Sequence, residues 1–357
     1  MTTLPAPAKA AAGLPLRSRI GLGLFVAAML AAPFFVGDYV LSVLIIVLFS
    51  AYLGQAWNIM MGFAGQLSIG HALYVGLGAY ASAALFVHFG LPPWIGMLVG
   101  VALATLVGSA IGALGFRFGV QGVYFALLTI AFAEFTRVLF DHFDWVGGSG
   151  GLFLPVTNRG GNDLVNLRGS PVMFYYLLLA MTLGVLALCR ALLRRRIGYY
   201  WLAIREDQDA AQAAGIDVFR CKVLAVALSA GLTAVAGVLQ AFYNNNLYPE
   251  TTFATGRSVE IMLAPIIGGL GTLFGPVLGA FALTALGEGL TTLVGRLAES
   301  GYGLHLDGLK PFLYGLTLVL IIAMQPTGLW PWLCRLGASL SGRNRRRRAV
   351  AGTERRA

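Results

Sequence analysis

Apolar runs recur along almost the whole chain, and nothing constrains its fold more. Each is about 17 to 24 residues long, enough to cross a ~30 Å hydrocarbon core as an α-helix. The runs are continuous and do not alternate, which argues against a membrane β-barrel. Only 11% of the 357 residues are charged, against about 25% in an ordinary soluble chain. The expected fold is therefore an all-α polytopic membrane protein.

The net charge of +10 does not point to nucleic acid, because of where it lies. Most Lys and Arg residues stand in three short blocks: Lys9 to Arg19, Arg190 to Lys222, and from Arg335 onward, including Arg345 to Arg348. Basic blocks flanking apolar spans mark the cytoplasmic side. Both termini and the middle block are thus placed in the cytoplasm, and the C-terminal run reads as a topology anchor touching anionic lipid. Cys189, Cys221 and Cys334 show no C-x-x-C spacing and imply no disulfide framework. The N-terminal run resembles a signal peptide, but the next apolar run follows so closely that an uncleaved first span is expected.

Spans are predicted at about 20–36, 39–61, 66–88, 94–116, 120–141, 171–190, 222–244 and 309–326, each within the length range of membrane-spanning helices. The block 258–291 is long for one helix and short for two. Its centre, Ile266 to Pro276, holds four glycines and a proline, which break a helix and permit a tight turn. Two short helices, about 258–271 and 275–290, give about ten crossings and keep both termini on one side. One kinked span there gives eight to nine. The chain then divides into a cytoplasmic tail (1–19), a membrane domain (20–326) and a basic cytoplasmic tail (327–357). The membrane domain carries an outer loop at 142–170 and a cytoplasmic loop at 191–221. Glycines recur at four-residue spacing (Gly96/Gly100, Gly108/Gly112, Gly115/Gly119, Gly275/Gly279), as tightly packed membrane helices require. A faint echo between Gly76–Leu85 and Val277–Leu286 is compatible with an internal repeat. No G-x-x-x-x-G-K-[ST] loop occurs, so nucleotide hydrolysis, if it drives this protein, resides on another chain.

Polar residues in such a chain need a reason. The stretch GQLSIGHA places Gln66, Ser68 and His71 at the cytosolic start of a predicted span, where they must either find partners or line a cavity. They are candidates for the translocation path. His71 has no second ligand nearby in sequence, and no metal site is expected. Glu134 and Arg137 are three apart on one helix and can pair. Glu134 joins the path candidates as a contact at the outer mouth. The segment Arg194 to Lys222 is too long and too organised for a connector. Helix formers fill Ile204 to Gly215, acids stand at Glu206, Asp207 and Asp209, and Gly215 offers a stop.

Asp209-Ala210-Ala211-x-x-x-Gly215 resembles the E-A-A-x-x-x-G loop of ABC importer permeases. The wider string AIREDQDAAQAAGIDVFRCK is similar to the branched-chain amino acid permeases of that class, in particular the M-type subunit of the leucine/isoleucine/valine system. So are AGQLSIGHALYVGLGAYASA, GVYFALLTIAFAE, VGGSGGL and SVEIMLAPIIGGLGTLFGPVLGA, and the similarity runs from about residue 40 to 325. The resemblance implies a transport subunit of a bacterial inner-membrane importer, not an enzyme. It implies a second permease subunit in a heterodimer, two cytosolic ATPase subunits that bind the ATP and Mg, and a periplasmic substrate-binding protein. This chain itself needs no cofactor. Arg205, Glu206, Asp207, Asp209, Ala210, Ala211 and Gly215 would form the coupling helix that docks on an ATPase. Two departures stand out: Gly150 replaces an Asp of the outer motif, and Tyr199, Tyr200 and Trp201 precede the coupling helix. The implied substrates are branched-chain or related amino acids, with urea or short amides as the alternative. An ion-coupled secondary transporter is the less favoured class, because the span centres hold almost no ionisable residues.

Overall fold

The computed structural model describes residues 16–155, 162–299, 309–325 and 327–335. Most of both tails, residues 156–161 of the outer loop and residues 300–308 lie outside them. The chain is a helical bundle. Seven of its helices are long and apolar enough to cross a membrane.

The first helices are α1 (Leu16–Phe35), α2 (Asp38–Asn58, prolonged by a π turn, Ile59–Phe63), α3 (His71–Phe89), α4 (Pro93–Arg117), α5 (Val123–Asp141) and α6 (Pro171–Arg194). Two short helices, α7 (Arg196–Glu206) and α8 (Gln208–Ala213), lead into α9 (Val218–Asn244). A single turn, α10 (Pro249–Thr252), precedes α11 (Thr255–Gly268), α12 (Gly275–Glu299) and α13 (Leu309–Met324). The only named strands among the described residues, β1 (Leu152–Phe153) and β2 (Asn246–Leu247), pair antiparallel and pin the outer loop to the end of α9.

The centre of the bundle is α3, α4 and α9, packed almost backbone to backbone. A Cβ on Gly78 would overlap the Ala234 carbonyl, and one on Gly237 the Val75 carbonyl. On α4, Gly96 faces Ser82, Gly100 faces Gly78 and Gly108 faces Ala230, so the predicted glycine spacing is a contact stripe here. Gly275 and Gly279 do the same between α12 and α11. Gly119 differs: it has φ +69° and meets nothing within 4 Å, so it forms the turn after α4.

The expected break in 258–291 is present. Helix α11 ends at Gly268, Gly269 and Gly271 take positive φ, and α12 starts at Gly275. The second helix is longer than expected, running to Glu299. Helix α11 has 14 residues, ~21 Å at 1.5 Å per residue. It also starts deep. The Ser258 hydroxyl accepts a hydrogen bond from Ala72 N at 2.9 Å, closing an open amide in the first turn of α3. Phe253 stacks on Tyr80 at 5.7 Å. The segment after α9 thus turns back beside α3 before α11 begins.

Candidate functional site

The segment 196–222 folds as the sequence suggests, and its side chains divide into two sets. Asp207 caps α8: its carboxylate accepts from Asp209 N and Ala210 N, both at 3.0 Å. Gly215, at φ +85°, closes the helix, with Ile216 N donating to Ala211 O at 3.1 Å. Glu206, Asp207, Asp209, Ala210 and Gly215 are exposed. Ala211 is buried in the chain's own core. Trp201 is fully buried, with its indole N–H on Cys221 O at 2.8 Å, while Tyr199 and Tyr200 remain exposed. Lys222 Nζ reaches Gln208 and lies 5.2 Å from the centre of the Phe116 ring, tying α8 to α9 and α4.

Arg205 is also exposed, but its guanidinium reaches inward. Its Nη1 donates to Gly62 O at 2.6 Å, on the π turn that ends α2, and its Nη2 pairs with Glu206 at 2.9 Å. The guanidinium fits a slot that only glycines leave open. A Cβ on Gly271 would overlap Nη1, and one on Gly65 would sit 3.0 Å from Arg205 Cγ. Asn58 joins the same two breaks from the other side. Its amide donates to Thr272 O and accepts from Gly271 N, both at 2.9 Å. One arginine therefore links α7 to the break after α2 and lies against the break after α11. Sequence reasoning missed Asn58, a lone amide inside an apolar run, and that polarity was the available signal.

The stretch between α2 and α3 is buried and bonded. Trp57 Nε1 donates to Ser68 O at 2.8 Å. His71 is fully buried, with Nδ1 3.1 Å from Ser68 Oγ and Nε2 2.8 Å from Ser229 Oγ. Ser229 spends its one proton on Ala56 O at 2.8 Å. His71 Nε2 must then donate to Ser229, and in the neutral ring Nδ1 accepts from Ser68. Gln66 is buried, with its amide on Ala64 O at 2.9 Å. Glu134 accepts from Arg137 Nε and from the Thr255 hydroxyl, each at 2.8 Å, and Arg137 also reaches Asp141 at 3.1 Å. Glu134 thus holds α5 to the start of α11.

Two cavities open beside α9 and α11, of about 680 Å³ and about 570 Å³. Neither is lined by Gln66, Ser68, His71 or Glu134. Gln240, Asn244, Arg257 and Glu260 line both. Arg257 donates through Nη1 to Glu260 at 3.0 Å and through Nη2 to Gln240 at 3.1 Å. A smaller cavity of about 360 Å³ lies under α8, between Phe116, Gln212 and Lys222. Among the described residues, no group of three or more His, Cys, Asp and Glu is placed to hold a metal ion.

The family model described as branched-chain amino acid transport system / permease component matches residues 39–323. The chain belongs to that family. It is 29% identical over 334 residues to the high-affinity branched-chain amino acid transport system permease protein LivM of Escherichia coli K12, covering 86% of this chain and 75% of the relative. The probable branched-chain amino acid transport permease protein LivM of Methanocaldococcus jannaschii is 22% identical over 299 residues, with 78% and 84% covered. The ribose import permease protein RbsC of Haemophilus influenzae is 26% identical over 292 residues, with 78% and 85% covered. No solved structure matches the chain. The chain is therefore a multi-pass membrane permease component. In the VGGSGGL motif, Gly147, Gly148 and Gly151 need positive φ, whereas Gly150 faces open space. The Asp missing at Gly150 therefore leaves the turn intact.

Proposed function

We propose that this chain is the transmembrane permease subunit of an ATP-driven importer of branched-chain or related amino acids in a bacterial inner membrane. Ten crossings fit the helix order: α1 to α6, α9, and then α11, α12 and α13. The end carrying α7 and α8 faces the cytoplasm, together with both termini. A second permease subunit completes the pathway, two ATPase subunits bind ATP and Mg below it, and a periplasmic binding protein delivers substrate above it. The chain has no catalytic role of its own.

One observation supports this reading above the others. The exposed face of α8 belongs to a segment whose Arg205 reaches the helix break after α2 and lies against the one after α11. Glu206, Asp207, Asp209, Ala210 and Gly215 offer the ATPase a capped helix end. Arg205 and Ala211 face this chain, so a push on α8 passes to the ends of α2 and α11. Breaks within membrane helices are where such bundles bend between two arrangements. The test is co-purification with an ATPase pair and ATP-dependent leucine uptake in proteoliposomes. Robust uptake by this chain without ATPase would refute the reading.

A further inference from the structure

We infer that Arg257 and Glu260, with Gln240 and Asn244, form a station for a small zwitterion with an apolar side chain, placed where two cavities meet on the transport surface. The inference deepens the proposed function and rests on it. Charged side chains at membrane depth are costly unless paired or facing a water-filled cavity. Arg257 lies in the first turn of α11, which begins beside the first turn of α3 and not at the rim of the bundle. Its guanidinium is fixed on two sides by Glu260 and Gln240, yet both charged residues line open volume on either hand.

The chemistry fits both ends of an amino acid. A guanidinium is the side chain best matched to a carboxylate. The Glu260 carboxylate accepts from Arg257 through one oxygen, and its side chain is 67% exposed, leaving it open to an ammonium group. An incoming zwitterion exchanges partners with the internal pair: its carboxylate takes Arg257 and its ammonium takes Glu260. No net charge is buried in that exchange. Each cavity adds one further acid, Glu250 in the first and Glu288 in the second. Each also offers apolar wall, Val75 and Ala79 in the first, Leu53 and Leu283 in the second. The shared pair is thus a transfer point between two chambers of like chemistry.

The experiment uses the complete transporter, with partner permease, ATPases and binding protein, in proteoliposomes with leucine as probe. Uptake and binding-protein-stimulated ATP hydrolysis are read together. Glu260→Gln keeps an acceptor for Arg257 and removes the charge, so a purely structural pair predicts a loss that tracks the melting temperature. The station predicts an uptake fall of about tenfold, as expected for one charged hydrogen bond, with stimulated hydrolysis retained. Arg257→Gln behaves alike, and Arg257→Lys recovers part of the loss. Wild-type uptake in both Gln variants overturns the station alone. Uptake and hydrolysis that fall in parallel with the melting temperature overturn it in favour of a structural pair. A wild-type assembly that takes up no leucine, isoleucine or valine with ATP overturns the transport reading and the station with it.

Discussion

Replacing Arg205 with Ala tests how the coupling segment acts on the membrane helices. The substitution removes the 2.6 Å hydrogen bond from Nη1 to Gly62 O and the 2.9 Å pair with Glu206. The second contact is exposed and contributes less than ~1 kcal/mol. The first is charge-assisted and partly buried, worth about 1.5–3 kcal/mol. If that bond carries the motion of α7 to the end of α2, its loss weakens the linkage by about 2 kcal/mol, or about 30-fold in the equilibrium it biases. The proposed docking face is untouched, so ATP hydrolysis should continue. The expected result is a fall of about tenfold or more in leucine moved per ATP hydrolysed, measured in proteoliposomes.

Gly271→Ala attacks the same contact from the opposite side. Its methyl would overlap Arg205 Nη1, and its φ of +72° costs a non-glycine residue about 1 kcal/mol. In an Arg205→Ala background the overlap with the guanidinium is gone, so the combined loss should be smaller than the sum. A wild-type ratio of uptake to hydrolysis in Arg205→Ala refutes the linkage. Strict additivity refutes the claim that both residues act through one contact.

Three further outcomes follow from the geometry. Asp207→Ala removes the cap of α8, at a cost of about 1 kcal/mol, and should quicken amide exchange over 208–213; unchanged exchange there would discount the cap. Gly237→Val should push α9 from α3 and lower the melting temperature in detergent, since overpacking costs about 1–3 kcal/mol, and an unaltered melt would deny the close contact. His71→Ala leaves the Ser68 hydroxyl without its acceptor in the core, at about 1–3 kcal/mol, while Ser229 keeps its bond to Ala56 O, and should reduce the amount folded, less so for His71→Gln. A His71→Ala protein that melts like the wild type yet fails in uptake would move His71 from packing to the translocation path.

Local chemistry made much of the bundle legible. The glycines and proline between Ile266 and Pro276 break the helix where the sequence says they should, and the acids before Gly215 make a short capped helix. What the sequence could not supply were partners distant along the chain. His71 finds Ser229, and Ala72 finds Ser258, across intervals that leave no periodic trace. Arg205 stands among Glu206, Asp207 and Asp209 and so reads as part of an exposed face. Its inward turn depends on the room left by Gly65 and Gly271, which only the packed structure reveals. The full length of α12 was hidden too. Its last turns, with Arg296 and Glu299, lie beyond the apolar run, and Tyr39 on α2 meets Glu288 in an exposed hydrogen bond.

Two sets of polar groups in this membrane protein stand in different physical states, and the difference assigns their work. Asn58, Ser68, His71, Ser229 and Ser258 are neutral, buried and bonded to neighbours within the chain. Such groups gain nothing from a visiting ligand, because binding one would break a bond as good as the one it makes. They hold the ends of α2, α3 and α11 in register beside α7 and α8. Arg257 and Glu260 are charged, paired to each other, and open to cavities on both sides. A zwitterion can replace that internal pair with two pairs of the same kind and leave the total charge unaltered. Exchange of this sort gives binding that is favourable enough to enter and weak enough to leave, which is what passage across a membrane demands.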